Sequence, residues 1–95
     1  MIFLKEVGFS EDVIKELEKN IPKILAKNVA KEKEVVKANI SFLQNLGIKN
    51  VEEAFMAYSS MFVMNTKKFQ EIFNKYDRED LIKKIEKNVA IIEHL

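Results

Sequence analysis

The chain has no cysteine and no tryptophan, and only one histidine, one proline and two glycines. Each shortage closes a class of chemistry. Without cysteine there are no disulfides, no thiolate metal ligands and no cysteine nucleophile. Nothing points to an oxidising compartment, so the cytoplasm is the expected location. The single histidine, His94, stands beside the last residue, where a helix end frays, with no orienting carboxylate or second ligand at a useful spacing. No glycine-rich phosphate loop or metal-ligand spacing occurs, so neither an enzyme nor a cofactor or metal site is expected. With so little glycine and proline there is no linker, and the 95 residues read as one domain, 1–95, able to bury a single core.

No stretch approaches the roughly 18–20 apolar residues that span a bilayer, and MIFLKEVGF lacks the basic region and cleavage site of a signal peptide. A soluble chain with no membrane partner is expected. Sixteen basic residues stand against fifteen acidic ones, a formal charge of +1. Only Arg78 is an arginine, the residue suited to bidentate base and phosphate recognition, so the balance disfavours nucleic acid.

What is present is helical periodicity. The segment Glu32–Ile48 carries Val36, Ile40 and Leu43 on one face, flanked by Val35, Phe42 and Leu46, and stops at Gly47. It is expected to be the central helix. Before it, Ser10 caps a helix over Val13, Ile14 and Leu17, and Pro22 turns the chain into a short helix with Ile24 and Leu25 facing inward, which the central helix follows either directly or after a bend near Asn28. After it, Asn50 and Glu53 form a capping-box pattern ahead of a helix running through Phe55 and Phe62. Asn65 and Thr66 start another over Phe69, Ile72, Phe73 and Tyr76, and Asp77 opens a last one through Leu81, Ile85 and Ile92 to Leu95. Met1–Phe9 suits a helical turn or an extended arm. Apart from the first few residues, no segment alternates with the two-residue period of a half-buried strand, so the expected fold is all-α, with about five helices.

The order of these signals repeats with a period of roughly 39 to 40 residues, in the range of stacked helical repeats. Val7-Gly8-Phe9 is echoed by Leu46-Gly47-Ile48, each followed by a capped helix. The fold is therefore either a compact bundle or two repeat units closed by a C-terminal capping helix. On Gly8, Phe9, Ile14, Leu17, Pro22, Leu25, Phe42, Leu43, Leu46, Gly47 and Ile48, residues 7–76 resemble units of the mitochondrial transcription termination factor family. That resemblance implies stacked helical triplets with a basic groove for nucleic acid. The second unit has Ser60-Met61 where the pattern has proline, and no arginines line a groove, so no nucleic-acid-contacting residue is carried over.

Two surfaces are candidates for function. AFMAYSSMFVM holds more large apolar residues than one helix face can bury. Phe55, Tyr58, Met61, Phe62 and Met64 are therefore read as an adaptable surface for a protein partner or a second copy. The alternative is a phosphate-binding surface built from Lys19, Lys23, Lys27, Lys31 and Lys37. The carboxylate pairs Glu52-Glu53 and Glu79-Asp80 are read as first-turn partners of their helices, and Ser59-Ser60 as small residues at a close packing point.

Overall fold

The computed structural model describes all residues, 1–95, and the chain is all-helical without strands. Six α-helices and three 3-10 segments replace the expected five or so helices. The α-helices are α1 (Glu11–Asn20), α2 (Lys23–Lys31), α3 (Lys33–Leu46), α4 (Val51–Tyr58), α5 (Thr66–Asn74) and α6 (Arg78–Lys87). The 3-10 segments are Ile2–Val7, Ser59–Val63 and Val89–His94. The Cα radius of gyration is 12.6 Å, close to the ~12 Å of a compact chain of this length.

Helix α3 is central, as its periodicity predicts. Its buried line of Val36, Asn39, Ile40 and Leu43 packs against the N-terminal 3-10 segment, α2, α4, Ser59–Val63 and α5. Around it eighteen buried apolar residues form one connected core. Six of the seven phenylalanines make a continuous chain of ring contacts through this core. Phe9 meets Phe55 at 5.7 Å, Phe55 meets Phe62 at 5.0 Å, and Phe62 meets Phe69 at 5.2 Å. Phe69 then meets Phe73 at 5.0 Å, and Phe42 closes on both at 6.3 Å. Tilted and edge-on contacts of this kind each add about 0.5–1.5 kcal/mol beyond burial of area.

Several helix boundaries follow from local chemistry. The Ser10 hydroxyl accepts from the Val13 N–H, Asn65 from those of Lys67 and Lys68, and Asp77 from that of Asp80. Each supplies a partner for N–H groups that a helix start leaves open. Gly8 and Gly47, at φ of 87° and 109°, end their segments in the left-handed region. Phe9 N–H donates to the Leu4 carbonyl and Ile48 N–H to that of Leu43, both at 3.1 Å, so the two echoed glycine turns make the same cap.

Elsewhere tertiary contacts override the local pattern. The capping box at Asn50 does not form: its amide nitrogen donates to the Ile85 carbonyl at 3.0 Å, and the Oδ1 that would cap α4 is turned into the interior without a partner. The helix predicted to run from Asn50 past Phe62 leaves α-geometry at Tyr58, where φ is −133°. Beside this break the Ser59 hydroxyl donates back to the Phe55 carbonyl, a bond that competes with the regular ladder. The bend expected near Asn28 lies at Glu32, which separates α2 from α3. The last helix breaks at Asn88, whose side chain caps the closing 3-10 segment by accepting from Ala90 N–H.

Candidate functional site

The surplus of apolar residues in AFMAYSSMFVM divides between core and surface. Phe55 and Phe62, expected on a partner-binding surface, are instead 0% and 1% exposed and belong to the phenylalanine chain. Aromatic rings gain most from being enclosed on all sides: Phe55 is flanked by the rings of Phe9 and Phe62, and Phe62 by those of Phe55 and Phe69. Tyr58, Met61 and Met64 are half-buried and pack against the core edge. The large apolar residue of this stretch that is exposed is Met56, at 43%.

Met56 opens into a groove of about 200 Å³ between the Pro22 corner and the α4–Ser59 junction. Asn20, Ile21, Pro22 and Leu25 form one wall, and Met56, Ala57, Ser59 and Ser60 the other. The corner exists because Pro22 cannot continue α1 and instead starts α2. The opposite wall is held by Asn39, which is fully buried on α3 and donates from one amide nitrogen to the Phe62 and Met64 carbonyls, both at 2.9 Å. Asn39 therefore fixes the 3-10 segment that carries Ser59 and Ser60 into the groove wall.

Ile24, expected to face inward, is 77% exposed. Val29 is the fully buried residue of α2, and Leu25 lies between it and Ile24 around the helix. The register was legible. Ile24 lies within about 60° of both Lys27 and Lys31 on a helical wheel and so shares their outward face.

The lysine set does not form one row. Lys23, Lys27 and Lys31 lie on α2, exposed and without ion-pair partners, whereas Lys19 lies on α1 beyond the proline corner. Lys37, on α3, is bound by Glu6 at 3.4 Å and Glu34 at 3.3 Å. Burial of its amine opposes the charge, but the two carboxylates together outweigh this and hold Lys37 above the usual lysine range. It is therefore not a free cation. Pro22 provides no side-chain cap for α2, and no acidic residue stands in the first turn. The exposed face of α2 is accordingly positive along its whole length.

Several other polar groups are spent on structure. Glu52 accepts the Ser10 N–H at 2.9 Å, joining the start of α1 to α4, and Gln44 donates to the Val7 carbonyl at 2.7 Å. Arg78 donates to the Leu46 carbonyl at 2.7 Å and so closes the C-terminus of α3. His94 lines a cleft of about 130 Å³ with Tyr76, Asp80, Lys84 and Leu95. Nowhere do three His, Asp or Glu side chains converge as a metal site would require. No helix is long and apolar enough to cross a membrane.

Sequence reasoning missed Asn39 and the groove. Asn39 offers no local signal, since its partners lie 23 and 25 residues away. Comparison of the chain with protein-family models, curated proteins and solved structures finds no match.

Proposed function

We propose that the chain is a non-catalytic helical module of the cytoplasm that binds another protein, or a second copy of itself, through the groove between the Pro22 corner and Met56–Ser60. The observation that carries this reading is the solvent-facing apolar surface there. Met56 stands 43% exposed inside the groove, and Ile24, next to the groove-lining Leu25, is 77% exposed. Large apolar side chains left in water on two adjoining elements are what a partner would cover. Several polar groups have structural tasks: Asp77 caps α6, Glu52 ties α4 to Ser10, and the Ser59 hydroxyl donates to the Phe55 carbonyl.

The test is solution mass by light scattering over a concentration series, with capture of binding proteins from the source cell, on the parent chain and on Met56→Glu and Ile24→Glu. Both side chains are exposed, so helicity by circular dichroism should be unchanged while association is lost. Identical mass and identical capture for all three chains would refute the reading. Met61 and Met64 are poorer probes, because their half-buried side chains pack on the core and polar replacements would report stability.

A second reading is nucleic-acid binding along α2, supported by the unpaired Lys23, Lys27 and Lys31. The resemblance to transcription-termination-factor units belongs with it, supported by the matching caps at Gly8 and Gly47. Its signature is affinity that falls steeply with salt, about 0.7 log units per log unit for each phosphate neutralised on a single strand.

A further inference from the structure

The positive charge of this near-neutral molecule is concentrated beside the groove. Asn20–Lys31 contains three lysines and no aspartate or glutamate, while the rest of the chain carries thirteen basic against fifteen acidic residues. Lys23, Lys27 and Lys31 recur every four residues and span about 12 Å along α2, turning through about 80°. The turn brings Lys27 to within about 60° and Lys31 to within about 20° of the angular position of Ile24, both on the side away from the groove-lining Leu25. The face thus combines one exposed aliphatic anchor, an adjoining groove with Leu25 and Met56 in its opposing walls, and a line of unpaired ammonium groups.

From this juxtaposition we infer that the occupant of the groove is an acidic amphipathic helix of a partner protein. The inference rests on the protein-binding reading above and deepens it. A helix laid along α2 with a carboxylate at every fourth position matches the lysine spacing. Leucine or methionine side chains on its adjoining face enter the groove beside Met56 and cover Ile24. Charge complementarity selects this occupant over the others. A symmetric contact between two copies would set each lysine line against its own image, so like charges would face across the interface. A polyanionic strand would satisfy the lysines but place phosphates against Ile24 and leave the apolar floor uncovered.

The experiment is fluorescence anisotropy with a labelled synthetic helix bearing Glu at every fourth position and Leu beside it. Controls are the same helix with Gln for Glu, one with Ser for Leu, and an oligothymidylate. The Glu/Leu helix should bind, weakening as sodium chloride is raised. The Gln helix should bind about tenfold more weakly at low salt, since three surface charge pairs are removed. On the protein side, K23Q/K27Q/K31Q should lose the same factor, and Ile24→Ser or Met56→Ser should weaken binding several-fold, with circular dichroism unchanged. Equal affinity for the Glu and Gln helices would overturn the acidic partner and leave the protein-binding reading standing. A dimer of the parent chain dissolved by Ile24→Ser and Met56→Ser would do the same, assigning the groove to a second copy. Tighter binding of oligothymidylate than of the Glu/Leu helix would overturn both readings. No binding of the Glu/Leu helix would overturn this inference.

Discussion

Replacing Asn39 with alanine tests the link between the central helix and the groove. The Asn39 amide nitrogen donates to the Phe62 and Met64 carbonyls at 2.9 Å each, and its side chain is fully buried. Removing the donor leaves the buried Phe62 carbonyl and the part-buried Met64 carbonyl without partners, at about 1–3 kcal/mol each, with Met64 nearer the low end because water can reach it. Against this, the Asn39 Oδ1 is itself buried without a partner, and its removal returns about 1 kcal/mol. The net expectation is a loss of about 1–3 kcal/mol. That is a large share of the roughly 5–15 kcal/mol that holds a domain folded. In urea denaturation it corresponds to a midpoint lower by about 1–2 M at an unchanged slope.

Asn39→Asp separates the hydrogen bonds from the volume. The carboxylate has the same shape but faces two carbonyl oxygens without a donor, so at neutral pH it should destabilise more than alanine. Burial raises the carboxyl's folded pKa above its unfolded value, so the folded state holds the extra proton. The deficit should therefore shrink as pH falls toward the ordinary carboxylate range. A loss below about 1 kcal/mol for Asn39→Ala, or an Asn39→Asp chain as stable as the parent at pH 7, would refute this account of how Ser59–Val63 is held.

The two glycine caps differ in their surroundings. Gly8→Ala meets nothing within 4 Å and should cost only the left-handed backbone, about 1–2 kcal/mol, whereas Gly47→Ala, at φ 109°, also places its Cβ 3.1 Å from Ile82 Cδ1. Thermal melts should rank Gly47→Ala as the more damaging, and the reverse order would show that the second turn relaxes. Asp77→Ala removes the only side-chain cap of α6 and should lower stability by about 1 kcal/mol in the same assay, with no effect indicating that water replaces it. Tyr58 is held above the ordinary phenol range by burial first and by Glu93 second. The folded chain therefore keeps a proton that the unfolded chain loses, and stability should fall as pH rises past about 10. Ultraviolet titration of Glu93→Gln should show Tyr58 ionising earlier than in the parent, and no change would remove Glu93 from the account.

Much of the fold was legible because its causes are local. Ser10, Asn65 and Asp77 each accept from N–H groups two or three residues ahead, and Gly8 and Gly47 close turns whose partners lie within five residues. Such bonds form wherever the short segment forms, so the residue types announce them. The spacing of Val36, Ile40 and Leu43 likewise marks α3, since a helix of that length offers one face to burial and the hydrophobic effect selects it. The concentration of apolar residues around Met56 was legible as a surplus, and the lysines of α2 as a basic run.

Which members of those sets reach solvent was decided by tertiary structure. Phe55 and Met56 are neighbours on one helix, and their separation into core and groove depends on the side from which α3 and the two later 3-10 segments pack on α4. Asn50 carries a cap signature but is spent on the Ile85 carbonyl 35 residues away, a choice that exists only once α6 has docked. Asn39 sits in a buried line that otherwise reads as apolar, because two carbonyls of the Ser59–Met64 turn need a donor there. By itself the sequence determined an all-helical chain, its principal starts and stops, and the identity of its central helix. The groove, the tightening at Ser59 and the outward face of α2 came from long-range packing and hydrogen bonds, whose partners are adjacent only in the folded molecule.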